Sequence, residues 1–177
     1  MNAIVSLLDE EHDQTVRNLW AELEGDYGVT AQYANPFTHF SFHVADDYDL
    51  DELRQILDGL IHDHRPFTVG TSGLGVFTGD RPVLFVPVVR SPELDALHGA
   101  LWSRCTGAFG VGLPYYAPDA WVPHITLAQG PAAAERFPDV VRAMTRREFS
   151  WRLRVENLAV IEDGGEDRGL RLNVPLA

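Results

Sequence analysis

The chain repeats an order of elements once, and that repetition limits its fold more than any other feature. One copy runs strand, helix, strand, turn, strand, from His39 through Phe67 to Val86-Pro87-Val88. The other runs the same way from His124 through Phe149 to Val174-Pro175-Leu176. Histidine and second strand are 28 residues apart in one copy and 25 in the other; the closing valines follow at 47 and 50. Two copies are too few to stack as a solenoid. They predict two similar lobes related by a pseudo-twofold axis, facing each other across a central cleft.

The intervening pattern supports this order. Apolar residues at helical spacing predict helices over 9–25, 49–64, 91–108 and 132–147. Short apolar or alternating runs predict strands over 3–8, 37–45, 67–78, 83–89, 124–128, 149–162 and 170–175, with turns at 79–82 and 164–169 and a loop over 110–123. Gly70, Gly73 and Gly75 interrupt the third strand and read as a bend or bulge. The expected fold class is α+β, with two mainly antiparallel sheets flanked by helices, in a single domain over 1–177 made of two intertwined lobes.

Composition narrows function. There are 26 acidic residues against 14 basic ones, a net charge of −12, and every basic residue is arginine. A protein that tracks a long phosphate backbone needs many cations, so tight binding to long nucleic acid is excluded as an expectation. A local anion pocket remains open, because the planar fork of arginine suits phosphate. Without lysine there is neither Schiff-base chemistry nor a Walker-type phosphate loop. The lone Cys105 excludes an internal disulfide and a cysteine-rich zinc site. No apolar run approaches a membrane span, and residues 1–11 do not read as a signal peptide. The expectation is a cytoplasmic monomer.

The two copies place His39-Phe40-Ser41-Phe42 in register with His124-Ile125-Thr126-Leu127. Strand alternation puts each histidine and its hydroxyl on one face and the apolar pair on the other. Two imidazoles on opposite sides of a pocket can act as general base and general acid near neutral pH. The hydroxyls of Ser41 and Thr126 can donate to the non-bridging oxygens of a phosphate, so charge is stabilised without a metal. These residues resemble the 2H phosphoesterase superfamily, in particular its 2′-5′ RNA ligase and cyclic nucleotide phosphodiesterase branch; the stretch Trp121 to Ala128 is very like that branch's second motif. The resemblance implies a bilobal fold, no cofactor and no metal. It implies hydrolysis of 2′,3′-cyclic phosphates or 2′-5′ linkages in a nucleotide or a short RNA end, with His39 and His124 catalytic and Ser41 and Thr126 binding the phosphate. Serine at 41 replaces the commoner threonine and keeps the donor. Two rival readings are a non-catalytic nucleotide- or phosphate-binding protein of this fold and a histidine-based metal hydrolase.

Further candidates surround the motifs. By alternation His43 shares the face of Ser41, where it would enlarge the pocket or complete a metal site with His39 and His124; the favoured reading is a supporting or strand-end histidine, because Ala128 stands at the matching place in the second motif. Tyr33 and Phe37 precede the first motif, and Tyr115, Tyr116 and Trp121 precede the second; aromatics there can stack on a base or simply anchor the loops against the lobes. Arg81 and Arg90 flank the 83–89 strand, within possible reach of a phosphate.

Overall fold

The computed structural model describes residues 1–30, 35–162 and 169–177. Tyr33 therefore lies outside the described residues, as does all but the last residue of the turn expected at 164–169. The order is β1 (Asn2–Leu7), α1 (Glu10–Tyr27), β2 (His39–Ala45), α2 (Leu50–Ile61), β3 (Phe67–Gly70), β4 (Gly75–Phe77), β5 (Val83–Pro87), α3 (Pro92–Phe109), a 3-10 turn at Pro114–Tyr116, β6 (His124–Ala128), α4 (Gly130–Glu135), α5 (Phe137–Met144), β7 (Arg152–Val155), β8 (Asn157–Glu162) and β9 (Gly169–Pro175). The mixture is α+β, and every strand pairing among the described residues is antiparallel.

The long helices begin where capping chemistry starts them. Asp9 accepts from the His12 amide at 3.1 Å and opens α1, and Ser91 accepts from the Leu94 amide at 3.2 Å and opens α3, with Pro92 in its first turn. Such side chains satisfy amides that have no partner inside the helix. Val16, Leu19, Trp20 and Leu23 then bury one face of α1, and Leu94, Leu97 and Leu101 one face of α3.

Three expected elements are divided. The 67–78 strand ends at Gly70, turns through Gly73 at φ +64°, and resumes as β4. The 132–147 helix breaks at Arg136 because Pro138, in the first turn of α5, has no amide to continue the ladder of α4. The 149–162 strand becomes β7 and β8, which pair in different sheets.

In place of the two expected sheets there are three among the described residues, β2-β1-β8-β9, β4-β5-β6 and the pair β3-β7, because β7 leaves the run of β8 to pair with β3. A bridge from Thr71 to Val88 stitches β3 to the end of β5. This topology shifts the repeat relative to its expected frame. β5 lies beside the second motif strand, whereas β9 lies at the edge farthest from the first. The matching units are instead β1-α1-β2 and β5-α3-β6: in each, two antiparallel strands flank a helix of 18 residues. The helices cross over, so that α1 packs against β6 and α3 against β2. Phe40, Phe42, Leu84, Ile125 and Leu127 join the leucines of α2 and α3 in the main core. A second cluster of Ala3, Val5, Val44, Ala159 and Ile161 covers the opposite face of the four-stranded sheet.

Candidate active site

Each motif strand carries a β-bulge at the same place. On β2, His39, Phe40 and Ser41 face Leu7, Ser6 and Val5 in turn, and the next pairing joins His43 to Ile4, so Phe42 is the extra residue. On β6, His124, Ile125 and Thr126 face Pro87, Val86 and Phe85, the next pairing joins Ala128 to Leu84, and Leu127 is the extra residue. A bulge reverses which side of the strand later residues point to. One face of each strand therefore reads 39, 41, 44 and 124, 126, 129 instead of continuing by twos.

A cavity of about 250 Å³ follows from those faces. His39, Ser41 and Val44 line it from β2, and His124, Thr126 and Gln129 from β6 and the residue after it. Trp20, Asn35, Leu113 and Tyr116 also contribute to its wall. All four motif residues expected to act together thus reach one space, and all are half-buried.

The two histidines are held alike. His39 Nδ1 lies 2.6 Å from the Phe37 carbonyl, and His124 Nδ1 lies 2.7 Å from the Val122 carbonyl. A carbonyl only accepts, so Nδ1 carries the proton in both neutral rings and Nε2 is the basic nitrogen. The His124 ring packs against Phe77 at 4.8 Å and Phe85 at 5.0 Å between centroids. Burial lowers its pKa, opposed by the Val122 hydrogen bond.

Indole groups hold the backbone beneath both hydroxyls. Trp121 Nε1 donates to the Ser41 carbonyl at 2.9 Å, and Trp20 Nε1 donates to the Thr126 carbonyl at 3.1 Å. His98 Nε2, 3.2 Å from the Phe42 carbonyl and 3.0 Å from that of Tyr116, donates to both. Buried carbonyls where a bulge disrupts the ladder need donors from elsewhere, and these three side chains supply them.

The remaining candidates separate. His43 does not share the cavity: the bulge at Phe42 turns it into the core, where it is fully buried, its Nδ1 is 2.5 Å from the Tyr48 hydroxyl, and Trp102 packs on its ring at 5.1 Å. It is neither a wall residue nor a third ligand beside His39 and His124. Burial first, and then the nearby His98, push its pKa down to about 4. Trp121 is also buried, stacked on His98 at 3.7 Å, and reaches the site through the Ser41 backbone. Phe37 contributes its carbonyl to His39, while its ring packs against the second core cluster. Arg90 pairs with the Asp95 carboxylate at 2.6 Å and lies over the Trp121 ring, and neither it nor Arg81 lines the cavity. Tyr116 does line it; burial raises its phenol pKa, with the Ser41 side chain opposing. Tyr115 lines a neighbouring cavity of about 440 Å³, walled also by Phe77 and Val122 and sharing Leu113, Tyr116 and His124 with the first.

Sequence reasoning did not single out Trp20, Asn35 or Gln129. Gln129 follows the second motif directly, but simple alternation points it away; only the bulge at Leu127 brings it round. Among the described residues, no group of three histidine, cysteine or acidic side chains is placed to hold a metal, and no helix is long and apolar enough to cross a membrane.

Comparison with known proteins agrees with the fold and the family resemblance. The 2′-5′ RNA ligase superfamily model matches residues 9–167, and the chain belongs to that superfamily of 2H phosphoesterases. Among solved structures it is similar to the TT0787 protein of Thermus thermophilus, with a TM-score of 0.69 at 16% identity over 99% of this chain and 97% of that one. It is also similar to E. coli LigT complexed with 3′-AMP, with a TM-score of 0.57 at 18% identity over 99% and 94%. At these identities the likeness concerns the fold. A search of curated proteins matched none.

Proposed function

We propose that the chain is a phosphodiesterase that opens 2′,3′-cyclic phosphates or cleaves 2′-5′ linkages of small nucleotides or RNA ends by two-histidine acid–base catalysis, without a metal. The observation that carries this is the shared cavity wall: two histidines of the same tautomer, each two residues before a hydroxyl, on strands bulged at the same step. We read the matched β1-α1-β2 and β5-α3-β6 units as a pseudo-twofold pair that brackets one phosphate, within a single catalytic domain.

In this reading His124 is the base. Phe77 and Phe85 desolvate its ring and favour the neutral form. Its Nε2 removes a proton from water, the water oxygen bonds to phosphorus, and the opposite P–O bond breaks. His39, entering protonated, delivers a proton to the departing oxygen. Ser41 and Thr126 donate to the two non-bridging oxygens, whose charge grows in the transition state. Neutral donors suit a diester that carries one negative charge. The aromatic cavity beside His124 would accept a nucleobase, in keeping with the 3′-AMP complex of E. coli LigT.

The test is turnover of a nucleoside 2′,3′-cyclic phosphate in excess EDTA. Activity should persist, and kcat/KM should be bell-shaped in pH. His124→Ala should lose the low-pH limb and His39→Ala the high-pH limb, each losing about 10²–10⁴ in rate. Abolition by EDTA with recovery on adding zinc would favour a metal hydrolase, and binding without turnover a non-catalytic binding protein.

A further inference from the structure

The two hydroxyls in the cavity are not equally constrained. Ser41 and Thr126 line it from matching places on β2 and β6. Thr126 is branched at Cβ, which restricts its χ1. Ser41 lacks the methyl group, so its own covalent structure selects weakly among the staggered rotamers. A hydroxyl that must meet one oxygen of a phosphate needs a single rotamer and a single direction for its proton. For Ser41 that choice has to come from a neighbour.

The segment between α3 and β6 is fastened along the same stretch of β2. The Leu113 amide donates to the Val44 carbonyl at 2.8 Å. His98 Nε2 joins the Phe42 carbonyl of β2 to the Tyr116 carbonyl, and Trp121 Nε1 holds the Ser41 carbonyl. A Cβ on Gly112 would run into the Val44 carbonyl and the His43 ring, so glycine permits the approach. The Tyr116 amide closes its turn on the Leu113 carbonyl at 3.0 Å, and the Tyr116 side chain packs against both core clusters. Backbone and ring are thus both held, and Tyr116 shares the cavity wall with Ser41. The Ser41 side chain hydrogen-bonds the phenol, opposing the rise that burial imposes on the phenol pKa. A phenol raised above its ordinary value of about 10 keeps its proton at every pH where the histidines exchange theirs.

Resting on the phosphodiesterase reading above, we propose that Tyr116 is a positioning residue for that reaction, its phenol donating to Ser41 Oγ and turning the Ser41 proton toward a non-bridging oxygen of the bound phosphate. Two hydroxyls in series polarise each other, so the serine becomes a better donor as well as a better aimed one. Tyr116 supplies to Ser41 what the branched Cβ supplies to Thr126. It transfers no proton itself and acts on the reacting group only through Ser41.

The experiment makes Tyr116→Phe, which keeps the ring and removes the hydroxyl, in the wild-type chain and in the Ser41→Thr and Ser41→Ala backgrounds. Turnover of a nucleoside 2′,3′-cyclic phosphate is followed across pH. In the wild-type background kcat should fall roughly three- to tenfold, the scale of one neutral hydrogen bond. KM should change by less than about twofold, because the contact matters most in the transition state. Both limbs of the pH profile should stay in place. In each Ser41 variant the same change should cost less than about twofold, since threonine is fixed by its own branching and alanine has no hydroxyl to turn. An equal loss in the Ser41→Ala background would overturn the proposal and make the phenol a direct substrate contact. An equal loss in the Ser41→Thr background would overturn it in favour of a loosened loop, and a displaced or missing limb in favour of proton transfer by Tyr116. If the wild-type chain turns over no cyclic phosphate, the phosphodiesterase reading fails, and the same proteins are titrated calorimetrically with 3′-AMP. Weaker 3′-AMP binding on Tyr116→Phe in the wild-type background alone would still support the positioning of Ser41. Equal losses in all three backgrounds, no loss, or no binding by the wild-type chain would overturn it.

Discussion

Single side chains in this site act through atoms that a sequence pattern does not advertise. Trp121 stands in the motif stretch and invites a stacking role, yet it is buried and gives its indole N–H to the Ser41 carbonyl, as Trp20 does to Thr126. Trp121→Phe keeps the stacking on His98 and removes the donor. The expected result is a fall in kcat of roughly three- to tenfold, with KM nearly unchanged, because the hydroxyl loses its fixed position more than its chemistry. The lost hydrogen bond should cost about 1 kcal/mol of stability. Steady-state kinetics beside a thermal melt separate the two effects; a variant with wild-type kcat would remove Trp121 from the positioning of Ser41. Trp20→Phe should behave alike through Thr126.

Among the elements, β4 brings an aromatic face to His124. A Cβ at Gly75 would run into the Phe85 ring, so only glycine lets β4 cross there and lay Phe77 beside both Phe85 and His124. Gly75→Val should displace Phe85 and admit water to the His124 ring. Burial holds the pKa of that ring down, so wetting it should move the low-pH limb of kcat/KM upward, toward the ordinary histidine value of about 6.5. Phe77→Ala should move the limb in the same direction with less disturbance of the fold. A limb that stays in place in both variants would show that the phenylalanines do not tune His124. The strands and helices themselves were largely legible, since the apolar spacing of α1, α2 and α3 is regular. The breaks at Gly70–Gly75, Arg136 and Glu156 were less so, because each depends on which sheet or helix the next residues join.

For the molecule as a whole, the buried histidines couple stability to pH. His43 and His98 both have pKa values lowered to about 4, chiefly by burial. A histidine whose folded pKa lies below its unfolded value of about 6.5 stabilises the fold fully above that value and loses the contribution as pH falls toward the folded one. Stability should therefore decline between about pH 6.5 and pH 4, by an amount on the order of a few kcal/mol for the two together. Urea melts across this range provide the measurement. His43→Gln/His98→Gln should be less stable at pH 7 but should flatten the decline; an equally steep curve would assign it to other groups.

The residue chemistry was readable from the chain alone: two histidine–hydroxyl pairs on apolar strands, an excess of acidic residues and a family motif at Trp121 to Ala128. These are local, because strand alternation and helical spacing are properties of neighbouring residues. Where that alternation stops is a matter of three-dimensional pairing. The extra residues Phe42 and Leu127 reverse it, sending His43 into the core and bringing Val44 and Gln129 to the cavity. No pattern of residue types marks those two positions, since a phenylalanine and a leucine fit a regular strand as well as a bulged one. The reversal is set by β1 and β5 pairing across them, and by Trp121, Trp20 and His98 reaching from distant parts of the chain to the carbonyls around the bulges. Hydrogen bonds spanning 56, 80 and 106 residues are invisible to any local window, and they fix which face of each motif strand meets the substrate space.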